Sequence, residues 1–283
     1  MKDSENARSI SDIELAELFN QASSVGGKLQ YFGKIKDESL KIQLLDTIPM
    51  KERYKFIGKL YDPQSIAEQL SQLGEDNKRK TFNFIAKQYK GNSKRLLELL
   101  QRIDFTVVLP ENMLVFNLNN LNDLSMDSLI KIQENVENSA DLKFKVNEKD
   151  AENVEYSFAE LSAIIAKIEE LTAGIPDNLS EVEKFYTIYY RIINNITYNH
   201  STVNETNVEL NNRREEIKRS CRSYKEISEE YAKKISKIRK DSAGLYGGLV
   251  DGKAICVGYS TILQEALKKK GLKALMVVRY SKR

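Results

Sequence analysis

Tryptophan is absent from this chain, and 283 residues include only two cysteines, one histidine and four prolines. Two cysteines cannot build a disulfide scaffold. Cys221 and Cys256 are separated by a long helical pattern, and one histidine cannot complete a zinc set with them, so neither a metal nor a cofactor is expected. No apolar run reaches the roughly eighteen residues that a membrane-spanning helix needs. The start MKDSENARSISD lacks the basic segment and apolar core of a signal peptide, and the expected location is the cytoplasm. An excess of one charge is also missing. With 44 basic and 41 acidic residues the net charge is +3, which gives no global pull toward nucleic acid or a lipid surface. The chain is long enough for about two domains and a sizeable core.

Residues 1–104 read as a helical, repeat-like domain. Leu40, Ile42, Leu44, Leu45 and Ile48 precede Pro49. Tyr54, Phe56, Ile57 and Leu60 precede Pro63. Ile66, Leu70 and Leu73 precede Gly74, and Phe82, Phe84, Ile85 and Tyr89 precede Gly91. Each group makes one helical face followed by a breaker, at a spacing that suggests stacked short helices offering a surface to a partner protein. Residues 105–150 change character. FTVVLP and MLVFNL are rich in β-branched and aromatic residues, LSMDSLIKIQENV has helical spacing after Ser125, and DLKFKV alternates. This predicts a small β-α-β module.

From 151 the pattern returns to helices. YSFAELSAIIAKIEELTAG and SEVEKFYTIYYRII are amphipathic, with Ser180 and Glu183 set for a capping box. Residues 211–240 are densely charged, with Ile217, Cys221, Tyr224, Ser228, Tyr231, Ile235 and Ile238 spaced as one helical seam. Its acids are interspersed among its bases, which favours a solvated helix over a nucleic-acid face. Cys221 on that seam reads as a packing residue.

The strongest chemical signal is SAGLYGGLVDGKAICVGYSTILQEALKKKGLKALMVV. Gly244, Gly247, Gly248 and Gly252 form a loop that brings backbone close to a neighbour or a substrate. Cys256 then falls where a helix begins, with Tyr259, Ile262, Leu263, Ala266 and Leu267 on its apolar face. Lys268 to Lys270 suit its negative end, and Gly271 terminates it. A helix start offers backbone N–H groups that favour a thiolate and can hold an oxyanion, so this placement suits a nucleophile. The competing reading is a small buried core residue, the usual fate of a cysteine on an apolar helix.

GLVDGKAICVGYSTIL resembles the nucleophile segment of the transglutaminase-like branch of the papain-type cysteine enzymes. EVEKFYTIYYRIINNITYN resembles the helix and Ile-x-Tyr segment preceding it, so the likeness covers roughly residues 154–279. The resemblance implies thioester acyl transfer from a protein or peptide substrate, by hydrolysis or transamidation, with Cys256 as nucleophile. Tyr198 and Tyr246 are candidates to line the substrate or hold the oxyanion. It also implies that the base histidine and its aspartate lie on strands after the cysteine helix. The only histidine here, His200, precedes the cysteine in the polar stretch NHSTVNETN and reads as an exposed loop residue. The expectation is therefore a fragment, inactive alone, that stops after the nucleophile helix and one strand.

The fold class expected is α+β: a helical N-terminal region of short stacked helices, a small β-α-β unit, and over 151–283 an incomplete papain-like transglutaminase core. In this scheme the charged segment is an insertion that could cover the site as a lid. The rival function is a non-catalytic interaction scaffold that uses the N-terminal helices and the charged helix 211–240.

Overall fold

The structure is a computed structural model that describes residues 10–89, 91–146, 154–220 and 222–274. It is mostly helical with small sheets, in keeping with an α+β class. The chain divides into two compact units, Met1–Leu109 with Lys131–Glu137, and Pro110–Ile130 with Asn138–Arg283.

In the first unit, seven short helices follow one another: α1 (Asp12–Gln21), α2 (Val25–Phe32), α3 (Glu38–Asp46), α4 (Met50–Ile57), α5 (Pro63–Ser71), α6 (Glu75–Gln88) and α7 (Ser93–Leu100). Ser11, Ser24, Asp37, Asp62 and Asn92 each cap the helix that follows by accepting a hydrogen bond from its first turn. The prolines and glycines mark helix starts as much as stops. Pro63 is the first residue of α5, and Pro49 and Gly74 are the N-caps of α4 and α6. Every substantial helix contact in this unit joins helices one or two apart in sequence, as in a stack. Phe19, Phe32 and Phe56 are fully buried with ring centroids 5.4–6.2 Å apart. Lys41 is also buried. Its Nζ donates to the Lys59 carbonyl at 2.8 Å and lies 3.8 Å from the Tyr61 ring centroid, and burial pushes its pKa down.

The segment 131–137 completes this unit. Asn135 Nδ2 donates to the carbonyls of Leu100 and Ile103 at 2.8 and 3.0 Å. Val107 exchanges backbone bonds with Asn135 and Glu137. FTVVLP, expected as a strand, makes only that isolated bridge between Val107 and Val136.

In the second unit, β1 (Val115–Leu118) and β2 (Lys143–Val146) pair in parallel across the connection containing α8 (Met126–Asn135), so the expected β-α-β order is present. A third strand, β3 (Val154–Ser157), adds antiparallel to β2, with Phe116, Phe144 and Tyr156 in register and buried. Tyr156 and Ser157, expected at the start of the next helix, belong to this strand. That helix, α9 (Phe158–Thr172), starts at a capping box of Ser157 and Glu160. It is followed by α10 (Glu181–Asn195), which has the expected box of Ser180 and Glu183.

The charged segment is not one helix. It forms α11 (His200–Arg219) and α12 (Tyr224–Ala243), broken at Ser220–Ser223, with Ser223 capping the second. The two pack as an antiparallel hairpin. Arg213 reaches Tyr224 and Ser228, Glu216 accepts from Tyr231, and Arg222 bridges Glu216 and Glu230. Cys221 lies outside the described residues. Two-residue strands β4 (Thr197–Tyr198) and β5 (Lys253–Ala254) flank this hairpin and pair in parallel. The short α13 (Leu245–Leu249) leads to β5, and α14 (Cys256–Lys269) leaves it. The expected strand LKALMVV runs beyond the described residues from Leu275 onward.

Candidate functional site

Cys256 is the first residue of α14, exposed, and free of any disulfide. Its N-cap is Ile255, which has no side chain able to cap, so no side chain occupies the opening N–H groups of the helix. Gly252, at φ +68°, makes the left-handed turn into β5 that points the chain at the helix start. The preceding glycines do not form a loop open to substrate. Gly247 and Gly248 lie buried in α13, and a Cβ on Gly248 would collide with Ile262 Cδ1 of α14 and lie 3.3 Å from the Ala254 methyl. That glycine serves the close approach of two helices.

The helix behind Cys256 is a core element. Gly258, Thr261, Ile262, Ala266 and Leu267 are buried, and α14 packs against α9, α10, α13 and α12. Its far end matches expectation. Lys269 and Lys270 pair with Glu169 and Asp177 at 3.1 and 2.7 Å, and Gly271, at φ +77°, closes the helix with the Leu272 N–H bonding to the Leu267 carbonyl. Tyr259, one turn after Cys256, donates its hydroxyl to the Ile196 carbonyl at 2.5 Å. Burial pushes the Tyr259 phenol pKa up, so the proton that makes this bond is retained.

Tyr198 ends β4 and is 43 % exposed. Its ring lies 6.4 Å from that of Tyr259 and 4.9 Å from that of His200, the first residue of α11. Tyr246 sits in α13, partly covered, with its carbonyl accepting from the Val250 and Asp251 N–H groups. The two tyrosines singled out in the sequence thus occupy different elements, Tyr198 on the strand paired with β5 and Tyr246 on the helix before it. His200 is exposed, but it lies at a helix start and not in the expected loop. Asn199, just before it, caps α11 through Oδ1, which accepts from the Thr202 N–H and the Ser201 hydroxyl. Asn199, one of the preferred N-cap residue types, is the signal that marks this start.

A cleft of about 440 Å³ opens between α9, α10 and the turn before β5, lined by Lys167, Glu170, Arg191, Asn195 and Asp251 among others. Arg191 is engaged there with the carbonyls of Leu171 and Ala173 at 2.8 and 2.7 Å. Cys256 is not among the cleft's lining residues. No group of His, Cys, Asp and Glu among the described residues could hold a metal ion, and no described helix is long and apolar enough to cross a membrane.

No protein-family model matches the chain. No curated protein and no solved structure matches it either.

Proposed function

We propose that Cys256 is the nucleophile of an acyl transfer acting on a protein or peptide substrate, in a transglutaminase-like, papain-type arrangement. The observation that carries this reading is an exposed, unpaired thiol on the first residue of an otherwise buried helix whose N-terminus has no side-chain cap. The helix dipole and the N–H groups there stabilise negative charge on sulfur and on a carbonyl oxygen nearby. In the reaction the sulfur attacks the carbonyl carbon and forms the S–C bond. The C–N bond then breaks, the amine leaves with a proton, and water or a second amine releases the thioester. Tyr198 is the better placed of the two tyrosine candidates, because its strand pairs with the one that delivers Cys256.

A comparison of the folded and urea-denatured chain tests this. Iodoacetamide should label Cys256 at least about tenfold faster in the folded protein, as mapped by peptide mass spectrometry, because only the fold supplies the charge stabilisation. A rate in the folded chain no higher than in the denatured one would reduce Cys256 to a surface cysteine.

A second reading, a non-catalytic interaction scaffold, is favoured by one observation outside the cysteine region. Helix α10 exposes Val182, Tyr186, Tyr190 and Ile193, and Tyr186 and Tyr190 stack on each other at 6.3 Å. Exposed aromatics of this kind suit protein contacts. Placing charge on this face, as in Tyr186→Glu with Tyr190→Glu, should abolish partner capture and leave Cys256 labelling unchanged if the scaffold reading holds.

A further inference from the structure

We infer that the row of helices α2, α4 and α6 is a docking surface for an anionic lipid bilayer, held by unpaired lysines and by apolar side chains exposed among them. The inference concerns the first unit alone and does not rest on Cys256.

The row is built by an internal repeat. The N-caps of α2, α4 and α6 are Ser24, Pro49 and Gly74, one every 25 residues. Helix α4 packs against both α2 and α6. The odd helices are joined to this row by a strut that recurs. The Asp12 carboxylate at the start of α1 accepts from the N–H groups of Lys36 and Asp37, and that of Glu38 at the start of α3 accepts from those of Tyr61 and Asp62. Tandem two-helix units set equivalent residues side by side. Tyr54 therefore stands beside Arg79, Lys55 beside Lys80, and Lys59 beside Phe84. The last pair is visible directly, since a Cβ on Gly58, next to Lys59, would lie 3.0 Å from the Phe84 ring.

Charge nearly balances over the whole chain, yet it separates between the two rows of this unit. Helices α1, α3 and α5 hold six acidic residues and one base, the buried Lys41. Helices α2, α4 and α6 hold eight basic and three acidic residues. Three of those bases, again 25 residues apart, are engaged within the unit. Lys28 lies over the Phe19 ring, Arg53 pairs with Asp46, and Lys78 pairs with Glu75 and Asp104. The rest are different. Lys51, Arg79, Lys80 and Lys87, with Lys59 just after α4, are exposed, and none has an ion-pair partner among the described residues. Met50, Tyr54 and Phe84 stand among them 49, 39 and 47 % exposed, and Lys55 Nζ lies 5.6 Å from the Tyr54 ring centroid.

Long-stemmed ammonium groups around exposed apolar side chains match a headgroup layer. The lysines meet lipid phosphates and carboxylates while methionine and aromatic side chains enter the acyl boundary. Helices packed about 10 Å apart spread these groups over a surface roughly 20 Å wide, so they reach headgroups in two dimensions at once. A protein partner fits this surface less well, because lysine is depleted in protein interfaces. Single-stranded nucleic acid is held by a basic groove that tracks one backbone, and here the bases are spread across three helices.

Cosedimentation of the full chain with phosphatidylcholine vesicles containing about one third phosphatidylserine tests the surface. The chain should pellet with these vesicles and not with pure phosphatidylcholine, and binding should fall as salt rises from about 0.1 M to about 0.5 M. Lys55→Glu with Lys80→Glu should weaken binding at least about tenfold, while Lys218→Glu on α11 should leave it unchanged. A second measurement uses the wild type alone and does not depend on how a variant folds. Lysine acetylation by an N-hydroxysuccinimide ester, mapped by mass spectrometry, should show Lys51, Lys59 and Lys80 protected by the anionic vesicles and Lys218 unprotected. The proposal is overturned by equal binding to neutral vesicles, by protection that is no greater at these lysines than at Lys218, or by binding to a single-stranded oligonucleotide without binding to the anionic vesicles.

Discussion

At Gly248 one methyl group decides how closely α13 can approach α14. Gly248→Ala forces the added carbon into Ile262, and overpacking of this kind costs about 1–3 kcal/mol, so urea denaturation should show a lowered midpoint. Asp62 makes a separate residue-scale case. The Ser65 backbone N–H bonds its carboxylate and holds its pKa below the usual carboxylate range, with the Ser65 hydroxyl bond adding to this. A depressed carboxylate stabilises the fold fully above its unfolded value of about 3.9 and loses that contribution as pH falls through the lower folded value. Asp62→Ala should therefore cost about 1 kcal/mol at neutral pH, the usual worth of an N-cap, and the gap to wild type should narrow below about pH 4. Such residues were legible to different degrees. Ser180 with Glu183, and Gly271 after the lysines, announce themselves because local hydrogen-bonding chemistry fixes them. Gly248 did not, because its reason is Ile262, fourteen positions away and on another helix. His200 sits at a helix start for a local reason that its polar surroundings conceal: Asn199 beside it caps α11.

Among the elements, helices with strong periodicity and the strands β1 and β2 are readable from the sequence, and β3, β4 and β5 are not. Helices α9 and α10 follow their apolar spacing and capping signals. The strands β4 and β5 span only two residues each, too few for alternation to show, and the short β3 runs directly into the cap of α9. The helix read across 211–240 failed in a different way, since its seam continues in phase over Ser220–Ser223 and conceals the break that the serines signal. The bond from Tyr259 to Ile196 links α14 to the end of α10, beside the strand pair. Tyr259→Phe should lower stability by about 1 kcal/mol, the net worth of one hydrogen bond, and should raise amide exchange in residues 196–199 ahead of the rest of the unit.

At the scale of the whole molecule, each unit is assembled from sequence-distant pieces. The first needs residues 131–137, because Asn135 satisfies the carbonyls of Leu100 and Ile103 at the end of the helical stack. Asn135→Ala should cost about 1–3 kcal/mol by leaving those acceptors without their donor, and the loss should appear in the exchange of residues 93–107. The stack itself was foreseeable from its breakers, but its closure by a later segment was not. The α11–α12 hairpin carries a consequence of another kind. Two helices of twenty residues, each about 30 Å long, rise from the strand pair and return to it. Their tip at Ser220–Ser223 is tied by Arg222 to Glu216 and Glu230, on opposite arms. Such an excursion acts as a handle whose length is decoupled from its grip. Evolution or an engineer can shorten both arms equally, or splice a reporter domain into the tip, while the base stays where β4 and β5 hold it.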